Sequence, residues 1–213
     1  QLPEKDIEIA FEQFVKRQTS EEEKIKLTRE LLRKVFSAFI SKKLLSLKNK
    51  DEEWILRKHI STRERLNHYN EIYKRIFDDY KKASVIDLGS GINGFSYKFF
   101  KKLGINIKYT AIESVGQLIE LMNFYFKKNK LNGTAIHLSL FEKEKVKEII
   151  KKEKKPRVIL LFKVIDALEI IKRDYSKELI SELVPFADKI AISFATKSLG
   201  SREKFKVKRN WII

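Results

Sequence analysis

The chain has no cysteine. That removes disulfides, thiolate metal sites and cysteine nucleophiles from consideration. It also lacks any apolar run near the roughly 18 residues of a membrane span, and no signal-peptide pattern opens it, so a soluble cytoplasmic protein is expected. Internal repeats and low-complexity linkers are missing too. Acidic residues are in short supply: 29 Asp and Glu stand against 46 Lys and Arg, a formal net charge of +17. Such an excess says little about fold, but it favours a polyanionic partner, nucleic acid before membrane. The many Lys, Glu and Ile residues without Cys also suit a thermophile's cytoplasm. The first residue is Gln1 rather than Met, so an upstream piece is expected to be missing.

What is present is enough for a folded core. Of 213 residues 43% are apolar and 11% aromatic, which suits one α/β domain with a modest extension. The rest of the chain is organised around residues 84–101, SVIDLGSGINGFSYKFFK. A short apolar strand, Val85 to Leu88, runs into a glycine turn and then an amphipathic helix. That order forms the ligand-holding corner of a doubly wound α/β domain. Gly89, Ser90 and Gly91 make the cradle, where glycines let backbone pass close to a bound molecule. With Gly94 the glycines satisfy the dinucleotide spacing G-x-G-x-x-G. Asp87 argues the other way, because a carboxylate beside a pyrophosphate is electrostatically unfavourable. S-adenosylmethionine, with its ammonium and sulfonium, welcomes an acid there.

Residues 1–80 read as helices only. Pro3 opens a segment in which Ile7, Phe11, Phe14 and Val15 recur at helical spacing. Thr19 or Ser20 is the expected N-cap of a second helix, whose apolar face runs from Ile25 and Leu27 to Phe39 and Ile40. Ser61 and Glu64 match a capping box starting a helix through Tyr69, Tyr73 and Phe77. This helical part reads either as a bundle with solvated charged faces or as an RNA-docking extension. For docking, Arg33, Lys34, Lys42, Lys43, Lys48 and Lys50 supply positive charge for phosphates.

Residues 81–213 alternate strand and helix, the second of two expected domains. Strands are expected at 85–88, 107–112, 133–138, 158–164 and 189–194, with helices at about 141–152 and 168–183. Purely apolar strands such as VILLF and IAISF belong to a parallel sheet covered on both faces. The fold class is therefore doubly wound, Rossmann-like α/β behind a helical N-terminal domain. After the fifth strand there is no room for an antiparallel pair to close the sheet, so missing C-terminal strands or a departure from the usual plan are expected.

Glu113, followed by Ser114, closes the second strand 24 residues past Gly89, where an acid accepts hydrogen bonds from a ribose. Ser139 and Leu140 end the third strand, where an adenine can rest on apolar side chains. Lys163 closes a fully apolar strand, so its ammonium needs water, a phosphate or a target base. Residues 193–209 carry Lys197, Arg202 and Lys204 on the same rim, a candidate clamp for substrate phosphates. Absences narrow the reaction. Without cysteine, methylation at pyrimidine C5 lacks its nucleophile, and FKVIDAL stands where exocyclic-amine enzymes carry an Asp/Asn-Pro-Pro-aromatic loop. A purine ring nitrogen such as guanine N7 has an exposed lone pair and no proton to lose, so alignment matters more than a base. A 2′-hydroxyl target using Lys163 stays open.

Three segments together, HISTRERL (59–66), SVIDLGSGING (84–94) and ISFATKSLGSR (192–202), with LLFKVIDALE (160–169) before the last, resemble one family. It is the ribosomal RNA guanine-N7 methyltransferases that confer aminoglycoside resistance, a branch of the class I S-adenosylmethionine-dependent enzymes. The resemblance implies S-adenosylmethionine as cofactor and small-subunit ribosomal RNA as partner, with no metal and no membrane, in a monomer. It implies that Lys163 and Arg202 act on the target, that Lys197, Arg202 and Lys204 face RNA, and that Arg65 pairs with the methionine carboxylate. Ala195 replaces the family's proline and Ser201 its second glycine. The alternatives are an RNA-binding assembly factor that kept the fold without turnover, a methyltransferase acting on another RNA, and an NAD-dependent oxidoreductase supported only by G-x-G-x-x-G.

Overall fold

Five apolar segments pair side by side in a computed structural model of the chain, which describes residues 1–36 and 50–194. All four pairings are parallel, in the order β3-β2-β1-β4-β5. The strands are β1 (Lys82–Leu88), β2 (Asn106–Glu113), β3 (Gly133–His137), β4 (Arg157–Phe162) and β5 (Lys189–Ser193). Before them come α1 (Glu4–Val15), α2 (Glu21–Phe36), α3 (Glu52–Lys58), α4 (Ile60–Arg65) and α5 (Tyr69–Ile76). Between them lie α6 (Tyr97–Lys102), α7 (Gly116–Lys128), α8 (Lys143–Lys152), α9 (Ile165–Ile171) and α10 (Tyr175–Leu183). The order reverses between β1 and β4, and ligands of open α/β sheets bind at the carboxyl ends beside such a switch point.

Alternate residues of each strand feed different cores, as strand geometry requires. Val85 and Tyr109 enter a core rich in aromatics, where the Tyr73 and Phe100 rings stack at 3.9 Å between centroids. Ile86 and Ile112 enter an aliphatic core with Val146, Leu179 and Leu183. Helices α3 and α5 pack on the aromatic side, while α1 and α2 contribute Ile9, Ala10 and Val35 to the aliphatic side. Each fully buried side chain of this size contributes about 1.5–3 kcal/mol relative to exposure.

The expected strands all form, each within a residue or two of its limits except β1, which begins three residues early. Some details differ. Ile7 and Val15 are 44% and 49% exposed; Phe14 is buried as expected, joined by Asp6, Ile9 and Ala10. Ile25 also faces outward at 44% exposure, while Ser20 does accept from the Glu23 N–H as a cap. The capping box is not made: α4 starts at Ile60, the Ser61 hydroxyl accepts from Arg65, and Glu64 pairs with Lys163. The helix expected over 168–183 is two helices, because Asp174 adopts a left-handed φ of 61°. Glu169 stabilises the break by accepting the N–H groups of Asp174 and Ser176 that open α10. Phe39, Ile40, Lys42, Lys43, Lys48, Ala195, Lys197, Ser201, Arg202 and Lys204 lie outside the described residues.

Candidate functional site

The carboxyl ends of β1, β2 and β4 open on one cleft, which encloses about 750 Å³ including its open mouth. Its floor is the glycine turn after β1. Gly89 has φ +65°, and a Cβ there would stand 2.3 Å from Val164 Cγ2; Gly91 has φ +55° and its Cβ would meet the His59 ring at 3.2 Å. Both positions need glycine for conformation and for space. The turn is pinned by the next strand. One Glu113 carboxylate oxygen accepts the Gly91 N–H at 2.8 Å and the other accepts the Val115 N–H at 3.0 Å. Burial raises this carboxyl above the usual range, and the backbone donors pull it partly back.

Of the residues singled out from sequence, Gly89, Ser90, Gly91, Glu113, Ser114, Leu140 and Lys163 line this cleft together. Asp87, Arg65 and Ser139 stand behind the wall. Asp87 is 1% exposed and accepts from the Tyr109 hydroxyl and from Asn93 Nδ2. Asn93 in turn accepts from the Tyr69 hydroxyl at 2.7 Å and weakly from Arg65 at 3.4 Å. Asp87 therefore acts on the turn through Asn93, which begins the single 3-10 turn after the glycines. Burial lifts the Asp87 carboxyl to about 6 despite those donors.

Arg65 is buried over the Phe162 ring, 4.9 Å from its centroid, and donates to Ser61 at 2.9 Å. Phe162 and Ser61 are both cleft walls, and Arg65 Nε is buried without a hydrogen-bond partner. A buried guanidinium with an unsatisfied donor suits an anionic group close by. Lys163 sits at the mouth with a left-handed φ of 60°, its ammonium held by Glu64 of α4. Among the liners that sequence reasoning did not assign to this cleft are Asp6 and Phe162, while His59 lies in the HISTRERL segment. Burial, with Arg65 adding repulsion, pulls the His59 imidazole down to about 4, so it is neutral at pH 7. Nothing local in the sequence pointed to Asp6.

These features have the donor set and close backbone approach that an aminoacyl nucleoside needs. The glycine cradle, the Glu113 carboxylate, an apolar wall of Leu118, Leu140 and Phe141, and the buried Arg65 guanidinium behind them have the chemistry that S-adenosylmethionine needs.

A family model described as ribosomal RNA methyltransferase (FmrO) matches residues 30–209, most of the chain. The chain belongs to that family. Among solved structures, the 16S rRNA methyltransferase RmtF, crystallised with S-adenosyl-L-homocysteine, superposes with a TM-score of 0.73 at 21% identity, over 94% of this chain and 77% of RmtF. An rRNA methylase from Escherichia coli gives 0.72 at 18% identity, over 92% of this chain and 78% of the other. The 16S rRNA methylase ArmA gives 0.55 at 24% identity, covering 80% and 83%. These likenesses establish the fold, a Rossmann-like methyltransferase sheet with a helical N-terminal region.

Proposed function

We propose that the chain transfers a methyl group from S-adenosylmethionine to N7 of a guanine in small-subunit (16S) ribosomal RNA. The observation that carries the reading is the cleft of a ribosomal RNA methyltransferase family member whose glycine turn is locked to an acid at the end of the neighbouring strand. Residues 1–80 are the RNA-docking extension and 81–213 the cofactor-binding domain, acting as a monomer in the cytoplasm. RmtF, of the same fold, holds the demethylated product of that cofactor.

When bound, S-adenosylmethionine supplies a methyl group made electrophilic by its sulfonium. The chain's residues bind and orient. Glu113 keeps lone pairs for ribose hydroxyls while its backbone donors hold Gly91 in place. Arg65 serves the carboxylate end through its unsatisfied Nε. Asp87 holds Asn93 and so the turn; its reach to the cofactor's cationic end is through that turn rather than by contact. Ser90 and Ser114 border the same space. Ser139 holds the wall at the end of β3 by accepting the Phe141 N–H at 3.1 Å.

Guanine N7 suits this cleft because it needs no base. His59 is too acidic as a conjugate acid to take a proton well at neutral pH, and Glu113 is occupied by backbone donors. Lys163 at the mouth, with Arg202, contacts the target nucleotide; Lys197 and Lys204 grip flanking phosphates. The test is incubation with labelled S-adenosylmethionine and small ribosomal subunits, followed by mapping of labelled nucleotides. Label on guanine N7 is expected. RNA binding without transfer would replace this reading with an assembly factor that kept the fold.

A further inference from the structure

Helix α1 lies outside the residues matched by the family model, yet one of its side chains reaches the cleft. Asp6 is 2% exposed. Its Oδ1 accepts the Ser139 hydroxyl at 2.8 Å, which ties α1 to the end of β3. Its Oδ2 is buried with no hydrogen-bond partner. The helix is anchored at both ends around this point. The Gln1 carbonyl accepts the Gly116 N–H at 3.2 Å, and Gln13 donates to the Ile170 and Ile171 carbonyls at 3.0 and 2.5 Å. Burial raises the Asp6 carboxyl above its ordinary value, with Ser114 and Ser139 pulling it partly down.

An orphaned acceptor in a walled cleft calls for a donor, because leaving it unmade is costly. An adenosine offers two kinds: ribose hydroxyls and the 6-amino group. The ribose is served at the end of β2 by Glu113. Asp6 lies between the two strand ends, facing Ser114 after β2 and bonded to Ser139 after β3, the residue that precedes Leu140 and Phe141, apolar cleft walls suited to a flat base. We propose that Asp6, delivered by the N-terminal helix and oriented by Ser139, accepts a hydrogen bond from the 6-amino group of the cofactor's adenine and so selects adenine over 6-oxo purines. A 6-oxo group would bring an acceptor against a carboxylate, which a site built for a donor rejects.

This inference rests on the adenosine-binding reading of the cleft, and the experiment separates the two. Isothermal calorimetry is run with S-adenosylhomocysteine and with its hypoxanthine counterpart, S-inosylhomocysteine, on the full chain and on Asp6→Asn. The parent is expected to prefer adenine at least about 10-fold. Asp6→Asn, whose amide can donate to a 6-oxo group, is expected to narrow the preference to about 3-fold or less. If α1 only braces the cleft, both ligands weaken equally and the ratio is unchanged, which overturns the proposal. A parent without preference overturns it as well. No binding of either ligand to the parent would overturn the adenosine reading itself, and this inference with it. Should Asp6→Asn fail to fold, Ser139→Ala releases Asp6 from its donor and is expected to narrow the same ratio; an unchanged ratio there is equally fatal.

Discussion

The two ends of the parallel sheet are built from different chemistry. The segments entering β1 to β5, taken with two helical residues before and one strand residue after, hold 14 Lys and Arg against 5 Asp and Glu. The segments leaving β1 to β4, bounded the same way, hold 3 against 4. Among the described segments, positive charge is therefore denser at the amino end than where β1 to β4 leave the sheet; residues 194–209, which follow β5 in sequence, carry six Lys and Arg of their own. Part of it complements helix C-termini: Lys101 and Lys102 end α6, Lys127 and Lys128 end α7, and Lys151 and Lys152 end α8. The several acids at this end are spent on pairs, Glu153 with Lys108, Asp188 with Lys155, and Asp78 with Lys189. Arg157 is spent on the Glu153 and Lys151 carbonyls, while Arg75, Lys81, Lys82, Lys130 and Lys154 are exposed and project a field over a Debye length of about 8 Å at physiological salt. The comparison separates two tasks. The carboxyl end is shaped for a small ligand by a few buried polar atoms; the charge at the amino end is proposed to add long-range attraction for a polyanion to that of the basic residues proposed for the cleft rim.

The sharpest break of that division comes at the cleft. Glu113→Ala frees Gly91 and Val115 together, so S-adenosylhomocysteine affinity is expected to fall by two orders of magnitude or more, about 3 kcal/mol, while RNA affinity holds. Calorimetry and a filter-binding assay read the two quantities separately. At the other end, exchanging Lys127, Lys130, Lys151 and Lys154 for Glu is expected to weaken RNA binding about 10-fold at low salt and to flatten its salt dependence. S-adenosylhomocysteine affinity should stay at the parental value in that variant. Unchanged RNA binding would mean that the charge serves helix ends alone.

A smaller effect concerns Asp87, whose folded-state value near 6 lies above the ordinary 3.8. Between those values the folded state holds a proton that the unfolded chain has released. Stability from this group is thus present below about pH 4 and lost as pH rises through about 6. Asp87→Asn does not titrate, so its stability relative to the parent should climb from pH 4 to 6 and level off above. Urea unfolding at a series of pH values measures it, and a flat difference would contradict the assignment. The smallest change expected is at the mouth. Glu64→Gln removes the pair with Lys163, an exposed bridge worth under about 1 kcal/mol, and should raise RNA affinity about two-fold.

The sheet was legible in the sequence because its signals are local. Apolar runs such as VILLF announce buried strands, and Gly89, Gly91 and Glu113 declare the cleft by spacing alone. Asp87 was also legible as important, but not in its geometry: only the fold reveals Asn93, Tyr109 and Arg65 around it. Asp6 was illegible for a plain reason. In sequence it is one more acid in the first turn of a helix, and its partner Ser139 lies 133 residues away. Glu64 failed similarly. Its spacing from Ser61 matched a capping box, while Lys163, 99 residues on, claimed its carboxylate.

The proposed reaction is methyl transfer to a guanine ring nitrogen, with the cofactor held at the carboxyl end of the sheet. Small ribosomal subunits incubated with the chain and S-adenosylmethionine should acquire one labelled guanine, cleavable at that site by chemistry specific for N7-methylation. The Glu113→Ala variant should leave the same subunits unlabelled. Label on a sugar hydroxyl, on another base, or at equal level with the variant would contradict the account.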